Sequence, residues 1–289
     1  METRRQLKRS SASNSEYLLE TNGASRVTSG RRFLLAYHRE QKMNETRRTA
    51  FITGSGRNIG KAIALSLAAD GFNVIINGST RRELCDPVAE EARALGIEAT
   101  VLMGDISDPA AISQMTGAAL EQFGAVDVLV NNAAMRPRQS FLEMSEADWD
   151  LVFDTNLKSV FRLSQAFLPG MIDKGWGRVI GFTGMNAIKG HAGRVHGSAV
   201  KHGVWGMVKA MASEFGPNGI TVNAVSPGPI LGDRDSEEKA AEISGDVKYI
   251  PLGRLGAPKE VAAVVSMLAS DRGGFVNGQM IQVNGGAAM

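Results

Sequence analysis

The chain has 289 residues, a formal net charge of +2 and 43% hydrophobic residues, which is enough to bury the core of one large α/β domain or of two small ones. Its apolar runs, such as residues 261–269, are interrupted well short of the roughly 18 to 20 residues that a membrane-spanning helix needs, so we expect no membrane partner. The single cysteine, Cys85, cannot form an internal disulfide, which favours a reducing compartment, and we expect the protein in the cytoplasm.

Positive charge is concentrated near the N-terminus. Residues 1–42 carry nine Lys and Arg against four Asp and Glu, whereas the remainder carries 23 against 26. Because the body of the chain is slightly acidic, we expect no nucleic-acid partner. We also predict no metal site.

Residues 1–46 are rich in Arg and Ser and show no helical or strand periodicity, so we interpret them as a disordered N-terminal extension. Three explanations stay open. The segment is translated from an upstream start, since Met43 stands just ahead of the first strand; it is a functional tail; or it is a targeting peptide, which its five Glu residues argue against.

From Arg48 onward, short apolar runs alternate with helical segments at the spacing of repeated βαβ units. This pattern predicts an α/β Rossmann fold with a doubly wound, seven-stranded parallel sheet, formed as one domain by residues 47–289. The predicted strands are residues 49–53, 73–77, 98–103, 126–131, 177–183, 221–226 and 280–283. A helix is predicted over residues 58–70, where Ile59, Ile63 and Leu67 recur every four positions.

The first strand runs directly into the sequence GSGRNIG, residues 54–60, and then into that helix. This is the context that a dinucleotide-binding turn requires. Gly54 suits a tight turn, Gly60 lets helix and sheet approach, and the helix N-terminus offers unpaired N–H groups to a pyrophosphate. The alternative is an ordinary turn between a strand and a helix.

The segment after the second strand reads NGSTRR, residues 77–82. It lacks the carboxylate that an NAD-binding domain usually places there for the ribose 2′-hydroxyl. Arg57, with Arg81 or Arg82, could instead clamp a 2′-phosphate. The sequence therefore favours NADP(H) over NAD(H), the alternative being that Arg81 and Arg82 are solvated residues at a helix start.

Seven further segments carry a family resemblance. They are TGSGRNIG (53–60), GDISDP (104–109), VDVLVNNAA (126–134), DTNLKSVF (154–161), GITVNAVSPGPI (219–230), IPLGRLGAPKEVA (250–262) and NGQMIQVNGG (277–286). From about residue 47 to its C-terminus, the chain resembles the short-chain dehydrogenase/reductase superfamily, especially the branch of 3-oxoacyl-carrier-protein reductases.

The resemblance implies where the cofactor binds. Asp105 and Ile106 would bracket the adenine, residues 132–134 would lie beside the cofactor, and residues 227–230 would border the nicotinamide. Asn58 departs from the family's usual glycine, and we expect only a small backbone adjustment there. The full predicted cofactor set is Gly54, Ser55, Arg57, Asn58, Ile59, Gly60, Gly78, Asp105, Ile106, Asn132, Ala133, Ala134, Lys201, Pro227, Gly228 and Ile230.

The catalytic positions depart from the family pattern, which uses an Asn, a Ser and a Tyr-x-x-x-Lys helix. Hydride arriving at a carbonyl carbon leaves charge on oxygen, so one group must stabilise that charge and an acid must protonate it. Asn156 and Lys201 match the pattern, but the tyrosine position is Gly197 and the serine position is Gly184. Neither glycine has a side chain that could donate a proton.

Histidine is the replacement acid that the sequence favours, because its unperturbed pKa of about 6.5 lies near neutrality. His196, one place before Gly197, is our predicted catalytic residue together with Asn156 and Lys201. His191, His202, Thr183 and Tyr249 stay open as alternatives, as does a purely structural role for the histidines.

The predicted function is an NADP(H)-dependent oxidoreductase that transfers a hydride to or from a small carbonyl, alcohol, imine or enone substrate with an atypical proton donor. The alternatives are a nucleotide-binding protein or sensor without redox turnover, and a lyase or hydratase using the emptied pocket. The resemblance implies a homotetramer or homodimer. It also implies a substrate lid at residues 231–248, whose acidic sequence argues against a polyanionic substrate such as carrier-bound phosphopantetheine.

Overall fold

The computed structural model of the protein describes residues 47–232 and 247–289. The predicted extension, residues 1–46, and most of the predicted lid, residues 233–246, lie outside the described residues. Strands and helices alternate along the described chain in the order β1 (Thr49–Ile52), α1 (Asn58–Ala69), β2 (Asn73–Gly78), α2 (Arg82–Arg93), β3 (Ala99–Met103), α3 (Pro109–Phe123), β4 (Val128–Asn131), α4 (Glu146–Phe153), α5 (Ser159–Lys174), β5 (Gly177–Phe182), α6 (Val195–Phe215), β6 (Ile220–Pro227), α7 (Pro258–Ala269) and β7 (Met280–Val283).

The seven strands of the described residues form one sheet in the order β3-β2-β1-β4-β5-β6-β7, and every neighbouring pair is parallel. The predicted doubly wound Rossmann sheet is therefore confirmed. Strand order reverses between β1 and β4, where Ala50 pairs with Val74 on one side and Val128 on the other. In open α/β sheets, ligands bind at such a reversal, outside the carboxyl ends of the strands.

The sheet is buried on both faces, as parallel sheets usually are. Successive side chains of a strand point to opposite faces, so Phe51 and Ile52 enter different apolar clusters. The cluster around Ile52 includes residues of α1 and α7, and the cluster around Phe51 includes residues of α3, α5 and α6. In the second cluster the rings of Phe51 and Phe167 lie 5.3 Å apart.

The helix ends near the carboxyl edge of the sheet have local causes. The carboxylate of Asp108 accepts a hydrogen bond from the N–H of Ala110 at 2.9 Å and starts α3. The hydroxyl of Ser145 accepts one from the N–H of Asp148 at 3.1 Å and starts α4. In the part of the chain that the structure describes, none of the helices combines the length and the apolar character needed to span a bilayer.

Candidate functional site

The loop between β1 and α1 approaches β4 so closely that two of its positions admit only glycine. A Cβ at Gly54, whose φ is 61°, would lie 2.9 Å from the Cβ of Ala133, and a Cβ at Gly60 would lie 2.2 Å from the carbonyl oxygen of Gly54. The side-chain amide of Asn132 donates hydrogen bonds to the carbonyl oxygens of Thr53 and Gly54, at 2.9 and 3.0 Å. These contacts hold the N-terminus of α1 open toward the carboxyl edge of the sheet.

Three other loop residues have defined roles. The hydroxyl of Ser55 is buried, donates to the carbonyl oxygen of Ile52 at 2.8 Å and accepts from the N–H of Asn77 at 3.0 Å, so it braces the turn. Asn58 has a φ of 50°, a left-handed conformation that asparagine tolerates better than most residues. Arg57 immediately precedes α1, where its backbone is extended.

A cleft of about 310 Å³ opens beside this loop. Five predicted cofactor residues line it, namely Gly54, Asp105, Ile106, Ala133 and Ala134. The exposed carboxylate of Asp105 accepts hydrogen bonds from the N–H and the hydroxyl of Ser107, both at 2.8 Å. The structure thus brings the predicted adenine-binding residues and the glycine loop to one cleft.

The end of β2, at Gly78, is where an NAD-binding domain would place its carboxylate. Arg82 there forms an ion pair with Asp86, one turn along α2, at 3.3 Å. Arg81 is exposed at the start of α2, and Arg57 is half-buried at the start of α1. Arg82 is therefore already engaged by its own helix.

The predicted nicotinamide border lies at the end of β6. A Cβ at Gly228 would lie 2.6 Å from the Cα of Asn284, so this position also requires glycine. Its neighbour Pro227 is the last residue of β6, and Ile230 forms an isolated parallel bridge with Gly256. The chain is therefore held in place as it leaves the sheet edge.

Asn156 lies in a π-helical turn, Asp154–Lys158, that joins α4 to α5. Single π turns of this kind occur frequently at functional sites. The buried side chain of Asn156 accepts a hydrogen bond from the N–H of Met135 at 3.0 Å and donates one to the Met135 carbonyl oxygen at 2.9 Å. Asn156 therefore fixes the backbone of the loop that follows β4.

Lys201 is 7% exposed on α6, and its amino group donates a hydrogen bond to the carbonyl oxygen of Phe182 at 2.6 Å. Burial, and secondarily the positive charge of Arg136, lowers the pKa of Lys201 from 10.5 to about 7. An ordinary lysine stays protonated at neutral pH, whereas this one can gain or lose a proton there.

The two vacant family positions differ from each other. Gly197 lies one helical turn before Lys201, and the nearest atom to a Cβ built there is the Nδ2 of Asn186, at 3.5 Å. Gly184 has φ 71° and ψ 177°, a region open essentially to glycine alone. A Cβ at Gly184 would meet only the carbonyl oxygen of Pro227, at 3.9 Å. A side chain fits at position 197, but at position 184 the backbone itself is in a glycine conformation.

His196 is fully buried at the start of α6. Its Nδ1 accepts a hydrogen bond from the N–H of Gly197 at 2.9 Å, which leaves the ring proton on Nε2. Nε2 has no hydrogen-bond partner among the described residues. Burial, and then the charge of Arg194, lowers the pKa of His196, and the carboxylate of Asp148 opposes this only in part. The ring is therefore neutral and closed to solvent.

The other candidate acids lie in varied surroundings. The buried hydroxyl of Thr183 donates to the carbonyl oxygen of Val225 at 3.4 Å, so it is directed at the neighbouring strand. His191 is half-buried, and His202 and Tyr249 are exposed.

The sequence predicted residues 132–134 of the loop after β4 as part of the site but missed the residues that follow them, Met135 and Arg136. Asn156 fixes the loop at Met135, and the charge of the next residue, Arg136, acts on Lys201. The signal was its place in the chain, since this loop leaves the carboxyl end of a central strand.

Comparison with known proteins agrees with this geometry. Residues 54–288 match the family model described as "Enoyl-(Acyl carrier protein) reductase". The chain is 38% identical over 247 residues to a 3-oxoacyl-[acyl-carrier-protein] reductase of Staphylococcus epidermidis, covering 84% of this chain and 99% of the relative. It is 36% identical over 244 residues to an acetoacetyl-CoA reductase of Cupriavidus necator, with 84% and 99% covered.

Among solved structures, an acetoin dehydrogenase from Salmonella typhimurium superposes with a TM-score of 0.77 at 31% identity, covering 83% of this chain and 95% of that one. With its parallel sheet, its glycine-only loop and these relatives, the chain belongs to the short-chain dehydrogenase/reductase family of oxidoreductases.

Proposed function

We propose that this protein is an NADP(H)-dependent oxidoreductase that transfers a hydride to or from a small carbonyl, alcohol, imine or enone substrate, with an atypical proton donor. The observation that carries the proposal is the tight turn at Gly54 and Gly60, the glycine cradle, where a Cβ would lie 2.9 Å from the Cβ of Ala133 or 2.2 Å from the carbonyl oxygen of Gly54. Only glycine lets β1 run so closely into the N-terminus of α1, whose free N–H groups would hold a pyrophosphate. When bound, NADPH would supply the hydride. The relatives from S. epidermidis and C. necator are both named as reductases.

The residues present suit NADP(H) better than NAD(H). The N–H groups at the start of α1 would hold the pyrophosphate, and Asp105 and Ile106 would lie beside the adenine. No Asp or Glu stands among residues 77–82. Arg57 and Arg81 would contact a 2′-phosphate, which guanidinium groups bind through charge-assisted hydrogen bonds.

The donor of the proton is the open part of the mechanism. Reduction leaves an electron pair on the substrate oxygen or nitrogen, and an acid must protonate it. His196, the acid favoured by the sequence, would have to turn out of its buried position, because its Nδ1 is engaged and its Nε2 is enclosed. Its catalytic role stays a prediction.

Lys201 is also buried and bonded, but its pKa lies near neutrality. It lies four residues after Gly197, on the same face of α6 as the space that a tyrosine would fill. Because its pKa is about 7, its ammonium group can give its proton to the developing alkoxide, become the neutral amine, and take up a proton again before the next turnover. We therefore favour Lys201 as the group that moves the proton, acting directly or through a water in the vacated space.

A nucleotide-binding protein without turnover is the second candidate. Gly184 favours it, because the backbone at the serine position is in a conformation that excludes that side chain. A cytoplasmic location, expected from the single cysteine, and an assembly of two or four copies, expected from the family, stay predictions.

One experiment separates these functions. The purified chain is incubated with NADPH and a panel of ketones, imines and enones while the absorbance of NADPH is followed, and cofactor binding is measured separately by calorimetry. Oxidation of NADPH that depends on a panel member supports the oxidoreductase. Binding without turnover supports the second candidate, and product formation with NADPH unchanged supports a lyase or hydratase.

A further inference from the structure

Two loops that leave the carboxyl edge of the sheet, one after β4 and one after β5, are hydrogen-bonded to each other. The first is residues 135–140, after β4, and the second is residues 184–194, before α6. The N–H of Gln139 donates to the carbonyl oxygen of Gly193 at 2.9 Å, and the guanidinium of Arg194 donates to the carbonyl oxygen of Arg136 at 2.9 Å. These two bonds fix the loops relative to each other.

The first loop is also fixed to the catalytic helices. Asn156 forms hydrogen bonds with both backbone groups of Met135, at 3.0 and 2.9 Å, so the backbone is held in place immediately before Arg136. The positive charge of Arg136 is also the second cause, after burial, of the lowered pKa of Lys201. Arg136 thus links the loop surface to the reaction centre.

The joined surface is strongly basic. Its two loops contain Arg136, Arg138, Lys189 and Arg194, and neither loop contains an Asp or a Glu. This contrasts with the slightly acidic balance of the chain beyond residue 42. The carboxylate of Asp148 borders the surface, but it accepts hydrogen bonds from the amide of Gln139 at 3.0 Å and the hydroxyl of Ser145 at 2.7 Å.

We propose that the substrate carries a carboxylate, as a small oxo acid or hydroxy acid does, and that Arg136 and its basic neighbours hold this carboxylate while the reacting carbonyl lies at Lys201. The inference rests on the proposed function and names the substrate class of that same site. Guanidinium groups recognise carboxylates through two parallel hydrogen bonds, which fix orientation as well as affinity. A carboxylate held in this way would position the neighbouring carbonyl for hydride transfer.

A single carboxylate also agrees with the acidic sequence of residues 231–248, which argues against polyanionic substrates. It would place a negative charge between Arg136 and the ammonium group of Lys201. That arrangement favours the protonated lysine, the form able to donate a proton during reduction.

The first test needs no variant. The turnover of NADPH is compared for a series of small oxo acids, their methyl esters and their primary amides. Because a hydrogen bond to a charged group is worth about 1.5–3 kcal/mol, we expect kcat/KM to be about 10- to 100-fold higher for the acid than for the neutral forms. Equal or better turnover of the ester and the amide would overturn the inference and leave the proposed function standing.

The second test uses Arg136→Gln and Arg136→Lys, with Arg272→Gln as the matched control. Arg272 is exposed in the short helix Asp271–Gly273, remote from the two loops. We expect Arg136→Gln to lower kcat/KM for the acid about 10- to 100-fold and to change kcat/KM for the ester less than about threefold. Arg136→Lys should recover part of the kcat/KM for the acid. A uniform loss for acid and ester would contradict a carboxylate contact.

A binding readout covers the case in which no oxo acid in the panel is reduced. Thermal unfolding of the NADPH-bound protein is followed with each hydroxy acid and with its amide. A rise in Tm for an acid and none for its amide supports the inference, and equal shifts or no shift for both contradict it. Failure to bind NADPH at all would instead defeat the proposed function, so the two outcomes are distinguishable.

Discussion

The amino group of Lys201 donates a hydrogen bond to the carbonyl oxygen of Phe182 across 2.6 Å. The lysine is therefore fixed to the carboxyl end of β5, while one turn earlier on its own helix Gly197 contributes no side chain. Burial in this position lowers the pKa of Lys201 to about 7, so the same residue is held in a fixed position and can exchange a proton near neutral pH.

The pH dependence of turnover identifies the acid. Reduction requires the protonated form of Lys201, so kcat/KM for reduction should fall about tenfold per pH unit above the pKa of about 7, and kcat/KM for oxidation should rise through the same range and then level off. The measurement is kcat/KM against pH in both directions, because this ratio reports the free enzyme. Lys201→Arg should abolish most of the reduction, because a guanidinium keeps its proton.

His196→Asn is the control for that profile. We expect it to retain the falling limb, since the His196 ring is enclosed and its Nδ1 is engaged. Loss of the limb in His196→Asn would show that histidine, and not lysine, donates the proton.

Lys201→Met should stabilise the fold in a pH-dependent way. The unfolded lysine titrates at 10.5 and the folded one at about 7, so between these values the unfolded state binds more protons and wild-type stability rises with pH. At about 1.4 kcal/mol per pKa unit, the buried charge costs several kcal/mol below pH 7, offset in part by the bond to Phe182.

We expect a net gain of about 2–3 kcal/mol for Lys201→Met at pH 6, or about 5–10 °C in Tm, shrinking as the pH approaches 10. Thermal unfolding of both proteins across this pH range is the measurement. A gain that does not change with pH would show that Lys201 is not buried as a charge.

Restoring the family side chains should have unequal effects. A Cβ at position 197 makes ordinary contacts with the Nδ2 of Asn186 at 3.5 Å and the Cβ of Arg194 at 3.9 Å. Gly197→Tyr places a phenol one turn from Lys201, so it should fold and raise turnover of unactivated ketones. Gly184→Ser should lose about 1–3 kcal/mol of stability, because its φ of 71° with ψ of 177° excludes most side chains. Chemical denaturation and ketone-dependent NADPH oxidation check both; a stable Gly184→Ser would mean that the loop relaxes.

Cofactor preference should depend on two arginines and not on a third. Arg57→Gln and Arg81→Gln should each weaken NADPH binding about 10-fold or more while changing NADH less than about threefold. Arg82→Gln is the control, since Arg82 is paired with Asp86 at 3.3 Å. Equal losses for NADPH and NADH in Arg57→Gln would argue against a contact with the 2′-phosphate.

The sequence predicted the sheet well, because fully buried parallel strands have continuous apolar runs and the glycine loop follows the first of them directly. The predicted bounds of all seven strands agree with the structure to within two residues. Such features depend on local pattern, which the order of residues carries.

The details of the site depend on contacts between distant segments, and those the sequence could not supply. His196 and Gly197 are adjacent in sequence, yet the helix turns the histidine into the interior, and the bond from the Gly197 N–H fixes its ring there. The influence of Arg136 on Lys201 joins positions far apart in the chain. The conformation of Gly184 is likewise a property of the folded loop, and glycine alone in the sequence does not reveal it.

Calorimetric titration of the full chain with NADPH and, in parallel, with NADH tests the central claim most directly. The glycine cradle and the arginines beside it predict saturable one-site binding, at least about tenfold tighter for NADPH, a difference of about 1.4 kcal/mol. Absence of binding by either reduced nucleotide, in a sample that unfolds cooperatively, would contradict the account.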